Sequence, residues 1–317
     1  MLTAGQLMDA CGKNPFIFRA GVWKPRTSPS TFQGAGAQAL AWLAEVKRTY
    51  GMAIATEVAT PEHVAAALEA GVDYLWIGAR TSANPLAVQA IADSLSNRSN
   101  PNILSNLKGI LIKNPVNADA ALWLGNIERL EKTGVPVMAV HRGCGHQPCW
   151  AMAHKVRIAR PDIPMLLDPS HMSGDASKVP ELMGKIAELG LDGAMIEVHY
   201  KPEAALSDAR QQISPEALGT LGCLEALGSL EDIELNWLRA EIDELDERLW
   251  ETIAARMDVS ARIGEWKKAH GVAPLQPERY KEIVEKLRTK SEELGLDNEF
   301  VKQVWNSIHE ESLRRQE

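Results

Sequence analysis

Residues 1–27 read MLTAGQLMDACGKNPFIFRAGVWKPRT. The stretch predicts a short helix (LTAGQLMDACG), then an apolar strand (FIFRAG), then a loop carrying Lys24 and Arg26, so a helix precedes the first strand. Working outward, short apolar runs keep alternating with helical patterns: MAIATEV, YLWIGA, ILIKN, VMAVHRG, MLLDPS and AMIEVH follow in order. Seven such runs predict an α/β fold with a parallel sheet, a (β/α)8-type barrel with seven recognisable strands over residues 1–222.

Chemistry collects where those strands end. Lys24 and Arg26 follow the first, Glu57 ends the second, Arg80 follows the third and Lys113 ends the fourth. His141 and Arg142 close the fifth, Asp168 and His171 the sixth, Glu197 and His199 the seventh. In a barrel all of these converge on the C-terminal face, where active sites sit. A lone cation after a strand is an ordinary solvated loop residue. Several at one rim repel one another unless an anion offsets them, which makes that rim a predicted anion site.

The bulk numbers bound the partners. The 317-residue chain carries a formal charge of −8, with 45% hydrophobic and 24% charged residues, which argues against general nucleic-acid affinity while allowing focused cationic sites. No apolar run reaches membrane-spanning length and the N-terminus lacks the pattern of a signal peptide, so a cytoplasmic, membrane-free protein is expected. Four scattered cysteines are too few for a disulfide framework in a chain of this size.

Beyond a linker at 223–230 the texture changes. Residues 231–317 are rich in charge and poor in glycine and proline, and Leu235, Leu238, Ile242, Leu245, Leu249, Val259, Ile263 and Trp266 recur at mostly three- and four-residue steps. The spacing predicts one helix over 231–270, about 60 Å long, which exceeds what its own domain can cover and calls for a partner chain. Two further helices are predicted, from about Pro277 to Leu294 and from Asp297 towards the C-terminus. Arg256 and Lys267, about three turns apart, share one face of the long helix, whereas Arg239 lies roughly 100° away.

The stretch ELNWLRAEIDELDERLWETIAARMDVSARIGEWKKAHG, then LQPERY, then SIHEESLRRQ, resembles the all-helical chorismate mutases over the whole tail. The resemblance implies an intertwined homodimer that converts chorismate to prephenate without a cofactor. It assigns Arg239 from the partner chain and Arg256 to the substrate carboxylates, and Lys267 and Gln316 to the ether oxygen. Arg279 and Ser312 complete the implied site. Gln276 and Tyr280 stand where several members carry acidic residues around the arginine, which affects the expected contact to the ring hydroxyl.

Over residues 19–214 the ordered motifs KPRTSPSTFQG, ATEVATPEH, WIGARTSANP, IKNPVN, HRG, DPSHMSG, IEVH and LSDARQQ resemble the type Iβ 3-deoxy-D-arabino-heptulosonate 7-phosphate (DAHP) synthases, including members fused to a C-terminal mutase. That resemblance implies a bifunctional enzyme of the shikimate pathway whose barrel joins phosphoenolpyruvate to erythrose 4-phosphate. Lys24, Arg80, Lys113 and Arg142 would hold phosphoenolpyruvate, and Arg26 with Thr27 the phosphate of the aldehyde. A divalent metal, manganese or similar, would sit on His171, Glu197 and Asp208. The alternative is a chorismate mutase whose barrel is a non-catalytic regulatory or scaffolding module.

Two departures from the pattern are read from the sequence. The family's fourth metal ligand, a cysteine in a Gly-Pro-Cys-Ser loop after the first barrel strand, has no counterpart here, so MLTAGQLMDACG is read as the first barrel helix of a member lacking its front end, with impaired or absent synthase activity expected. The loop after HRG is short and carries Cys144, His146, Cys149 and His154, which admits either a metal cluster or, preferably, incidental thiols in a shortened loop.

Overall fold

The structure, a computed structural model, describes residues 1–11, 16–26, 28, 30–96, 106–221 and 230–316. It divides into two compact units, Met1–Glu241 and Ile242–Glu317.

The first unit is a parallel sheet ringed by helices. Its strands are β1 (Ile17–Ala20), β2 (Ala53–Glu57), β3 (Tyr74–Ile77), β4 (Gly109–Lys113), β5 (Val137–His141), β6 (Met165–Leu167) and β7 (Gly193–Ala194). All ladders are parallel and spatial order follows chain order, as the sequence predicts. Helices α1 (Leu2–Cys11), α2 (Gln38–Tyr50), α3 (Pro61–Glu69), α4 (Ala79–Ser82), α5 (Pro85–Ser96), α6 (Ala120–Glu131), α7 (Trp150–Ala159), α8 (Pro169–Ser173), α9 (Val179–Glu188) and α10 (Pro215–Thr220) lie between them. Side chains of Thr60, Asp119, Asp168 and Ser214 accept from backbone N–H groups at the starts of α3, α6, α8 and α10, satisfying donors that a helix leaves unpaired.

Alternation along the strands sorts the two faces. Ile54, Leu75, Ile77, Ile110, Ile112, Ala139 and Leu167 point outward into the helix layer and are fully buried in one cluster with Leu43, Val64, Ile91, Ile127 and their neighbours. The opposite parity fills the barrel interior with Ala55, Trp76, Leu111, Val140 and Met195. One step of two residues further along the same parity come Glu57, Gly78, Lys113, Arg142 and Glu197, so the apolar plug ends in a charged floor. The parity also explains His141, which points outward and is buried between Trp123 and Trp150, 6.2 and 5.4 Å away between ring centres.

One feature departs from the sequence reading. The seventh strand is shorter than AMIEVH: pairing stops after Ala194 because the Glu197 N–H goes to Ser170 Oγ (3.0 Å) and Val198 bridges Ile213 instead. Among the described residues β1 pairs only with β2 and β7 only with β6, so the sheet is open at that seam. A cavity of about 580 Å³ fills the seam, lined by Phe16, Phe18, Ala194, Ile196 and Val198 and backed by α1 and α10, which pack on each other.

The long helix, α11 (Leu230–His270), matches the predicted span; α12 (Pro277–Leu294) and α13 (Asn298–Arg314) follow it. Residues up to Glu241 belong to the first unit and the remainder to the second. Within the second unit Met257, Ser260, Ser291 and Ser312 are buried, whereas Leu245, Leu249, Val259, Ile263 and Trp266 stay 43–58% exposed. No described helix is long and apolar enough to cross a membrane.

Candidate active sites

The barrel places its strand-end side chains around a cleft of about 330 Å³. Lys24, Arg26, Arg80, Lys113 and Arg142 all line it, with His171 and Asp208. Thr27 lies outside the described residues. Glu197 stands at the edge of the cleft, joined to it through Gln211, whose Nε2 donates to Glu197 Oε2 at 2.7 Å.

Most of these cations are already matched by a carboxylate. Lys113 donates to Asp168 Oδ2 at 2.6 Å in a buried pair, and His171 donates to the same group from its backbone N–H at 3.0 Å. Burial works to raise the Asp168 pKa, but the charges of His171 and Lys113 and the His171 hydrogen bond overcome it and hold the group well below the usual carboxylate range. Arg26 grips Asp208 through two hydrogen bonds, 3.0 and 2.7 Å, and Lys24 adds a third at 3.0 Å. Those bonds outweigh burial and lower the Asp208 pKa; Asp208 itself sits at φ +56°. Arg19 reaches over the Trp76 ring, 5.2 Å to its centre, to Glu197 Oε1 at 3.4 Å.

Glu57, which the sequence places at the end of the second strand, is the exception among these carboxylates. Burial raises its pKa despite Lys113, Arg19 and Lys24 nearby. Its carboxylate lies against Gly78, where a Cβ would come within 2.0 Å of Oε1 and force the side chain to shift. The strand-end rule that picked out the cations picked out Glu57 as well.

The expected metal set is not assembled. His171 Nε2 lies 3.8 Å from Glu197 Oε1 while Nδ1 faces Asp168, a fair arrangement for two ligands. Asp208, however, is held by Arg26 and Lys24, and among the described residues no three His, Cys, Asp or Glu side chains come together to hold an ion. The alternative cluster in the short loop is absent on the same terms: His154 binds Glu241, at 2.5 Å, rather than approaching Cys144 and Cys149.

In the second unit four of the six predicted residues meet in two rungs between α11 and α13. Arg256 donates to Ser312 Oγ, and Lys267 donates to Gln316 Oε1 at 2.8 Å and to Pro274 O at 2.5 Å. Ser312 and Gln316 are four residues apart, and the two cations eleven, so each pair presents one face to the other. Gly264 permits the second rung, since a Cβ there would come within 2.5 Å of Gln316 Cα. The Arg256 guanidinium lies 4.8 Å from the centre of the Trp305 ring, and burial lowers its pKa. His309 is also lowered, by burial and then by the charges of Arg256 and Lys267.

Arg279 does not join these rungs; it is 59% exposed and pairs with Glu282 at 2.9 Å. Arg239 lies on the part of α11 that belongs to the first unit, exposed to solvent. Trp305 and His309 were missed, although the spacing 305, 309, 312, 316 marks one face of α13.

Comparison with known proteins fits this layout. Residues 1–229 match the DAHP synthetase I family model, and residues 238–317 match chorismate mutase type II. The chain is 30% identical over 208 residues to phospho-2-dehydro-3-deoxyheptonate aldolase of Thermotoga maritima, covering 63% of this chain and 57% of that protein. A crystal structure of the Thermotoga maritima DAHP synthase superposes with a TM-score of 0.58 at 27% identity, over 69% of this chain and 62% of that one. The tail is 36% identical over 84 residues to 4-amino-4-deoxychorismate mutase of Streptomyces venezuelae, covering 26% of this chain and 82% of that protein. The chain thus belongs to the DAHP synthetase I family, as a DAHP synthase domain fused to a C-terminal chorismate mutase type II domain.

Proposed function

We propose that the helical region rearranges chorismate to prephenate. The observation that carries the reading is the pair of rungs, Arg256 with Ser312 and Lys267 with Gln316. A pericyclic rearrangement needs a folded substrate and donors aimed at developing charge, with no nucleophile and no proton transfer. Lys267 occupies the Gln316 carbonyl, which leaves the Gln316 amide –NH2 as a second donor beside the ammonium. Both then serve the ether oxygen, where negative charge grows as the carbon–oxygen bond breaks. Arg256, with neutral partners only among the described residues, is available for a substrate carboxylate, and Arg239 of a second copy supplies the other. The exposed apolar face of Leu245, Leu249, Val259, Ile263 and Trp266 supports a homodimer built on α11.

The barrel's cationic cleft suits phosphorylated substrates, and the reading extends to condensation of phosphoenolpyruvate with erythrose 4-phosphate. A second reading keeps the mutase as the sole activity and makes the barrel a phosphate-responsive regulatory module. It is favoured by the pairing of Lys24 and Arg26 with Asp208, which leaves His171 and Glu197 without their expected third partner. Assaying one preparation for chorismate loss and for DAHP formation separates the two. Prephenate without DAHP supports the second reading; DAHP formation removes it, and no prephenate removes both.

A further inference from the structure

The first three turns of α11 are seated on the barrel by a set of contacts that lie outside both candidate sites. Trp237, 2% exposed, donates its indole N–H to Leu189 O at 3.0 Å. Its ring stacks on His154 at 5.2 Å and 6°, and meets Trp150 edge-on at 6.0 Å. His154 Nδ1 in turn contacts Glu241 Oε1 at 2.5 Å. Asn236 donates to Glu188 O at 3.1 Å, and Ile233 rests on Gly190, where φ is +61° and a Cβ would come within 2.8 Å of Ile233 Cδ1. Ile233, Trp237 and Glu241 recur every four residues, and Trp150 and His154 of α7 do the same, so two helix faces meet over one turn of backbone.

Arg239 sits inside this seated segment, two residues from both Trp237 and Glu241, with its own side chain exposed. The segment therefore fixes the backbone of a residue that the mutase reading assigns to a substrate carboxylate. A guanidinium that must meet a carboxylate with two parallel hydrogen bonds tolerates little drift at its Cα. The seated segment ends at Glu241, just past Arg239.

We propose that Trp237, His154 and Glu241 are positioning residues for Arg239: a barrel-side clasp sets the carboxylate contact of the mutase. The proposal rests on the assignment of Arg239 to the mutase site. The test uses the full chain and chorismate kinetics in E241A, E241Q, H154Q, R239A and the E241A/R239A double variant. E241A is expected to raise the chorismate KM roughly tenfold with kcat within about twofold, since the donors to the ether oxygen are elsewhere. E241Q, which keeps a hydrogen-bonding partner for His154, is expected to recover most of the loss, and H154Q to reproduce the E241A pattern. In the R239A background E241A is expected to add nothing, because the clasp then has no residue to position.

If R239A raises KM while E241A and H154Q do not, the clasp is overturned and the Arg239 assignment stands. If R239A leaves KM unchanged, the assignment itself fails and takes the clasp with it. An equal loss from E241A in both backgrounds shows a general structural role and also overturns the proposal.

Discussion

The two sites handle positive charge in opposite ways. In the barrel Lys24, Arg26 and Lys113 each have a carboxylate partner at 3.0 Å or less, so an incoming phosphate must compete with an anion the protein itself supplies. In the helical bundle Arg256 and Lys267 are held by a hydroxyl, an amide, a backbone carbonyl and an aromatic ring, and among the described residues neither has an ion-pair partner. The barrel thus keeps three of its cleft cations paired, Lys113 in full burial. The bundle keeps its cations uncompensated, which suits a reaction whose only demand is stabilisation of charge that appears in passing.

The contrast is broken most directly at the buried pair. Lys113→Met strands Asp168 without its ammonium and should lower barrel stability by about 3–5 kcal/mol, read from the urea midpoint. A loss under about 1 kcal/mol would show that His171 alone compensates Asp168, and the barrel's neutralising logic would fail. Next comes Lys267→Ala, expected to cut mutase kcat by roughly 10²–10³ while the barrel's unfolding transition stays in place. Retention of kcat within a few-fold would mean that the second rung is structural.

A third test uses pH. Burial lowers the His141 pKa from 6.5 to about 4, so as pH falls through that window the unfolded chain takes up the proton first. Barrel stability should be complete above about 6.5 and decline by roughly 3 kcal/mol towards pH 4. His141→Leu should flatten that part of the stability profile; an unchanged slope would place the titrating group elsewhere. The smallest effect is expected at Arg279. Its exposed pair with Glu282 is worth under about 0.5 kcal/mol, so Arg279→Ala should leave the thermal midpoint of the bundle nearly unmoved.

What the sequence made legible follows from what periodicity reports. Short apolar runs alternating with helical patterns identified all seven strands, and because a barrel gathers its strand ends at one face, the cleft cations could be named from strand ends alone. The length of β7 was not legible, since it ends where Ser170, far away in sequence, takes the Glu197 N–H. For Asp208, the family resemblance implied a metal ligand, while its actual partners, Arg26 and Lys24, lie 182 and 184 residues away. Helical spacing gave α11 to within one residue at its N-terminus, and it placed Arg256 and Lys267 on one face. It said nothing of Trp237 and His154, whose stacking joins two helices 87 or fewer residues apart in sequence through contacts that no local pattern encodes.

The agreement between spatial and chain order in the sheet has a kinetic side. Each strand finds its neighbour one helix upstream, so the sheet can be laid down in the order the ribosome delivers it, with short loops closed at every step. Only the seam departs from this. α1 waits for α10, and Arg19 waits for Glu197, 178 residues later. Until that last segment emerges, α1 has α2 beside it but lacks its larger contact with α10.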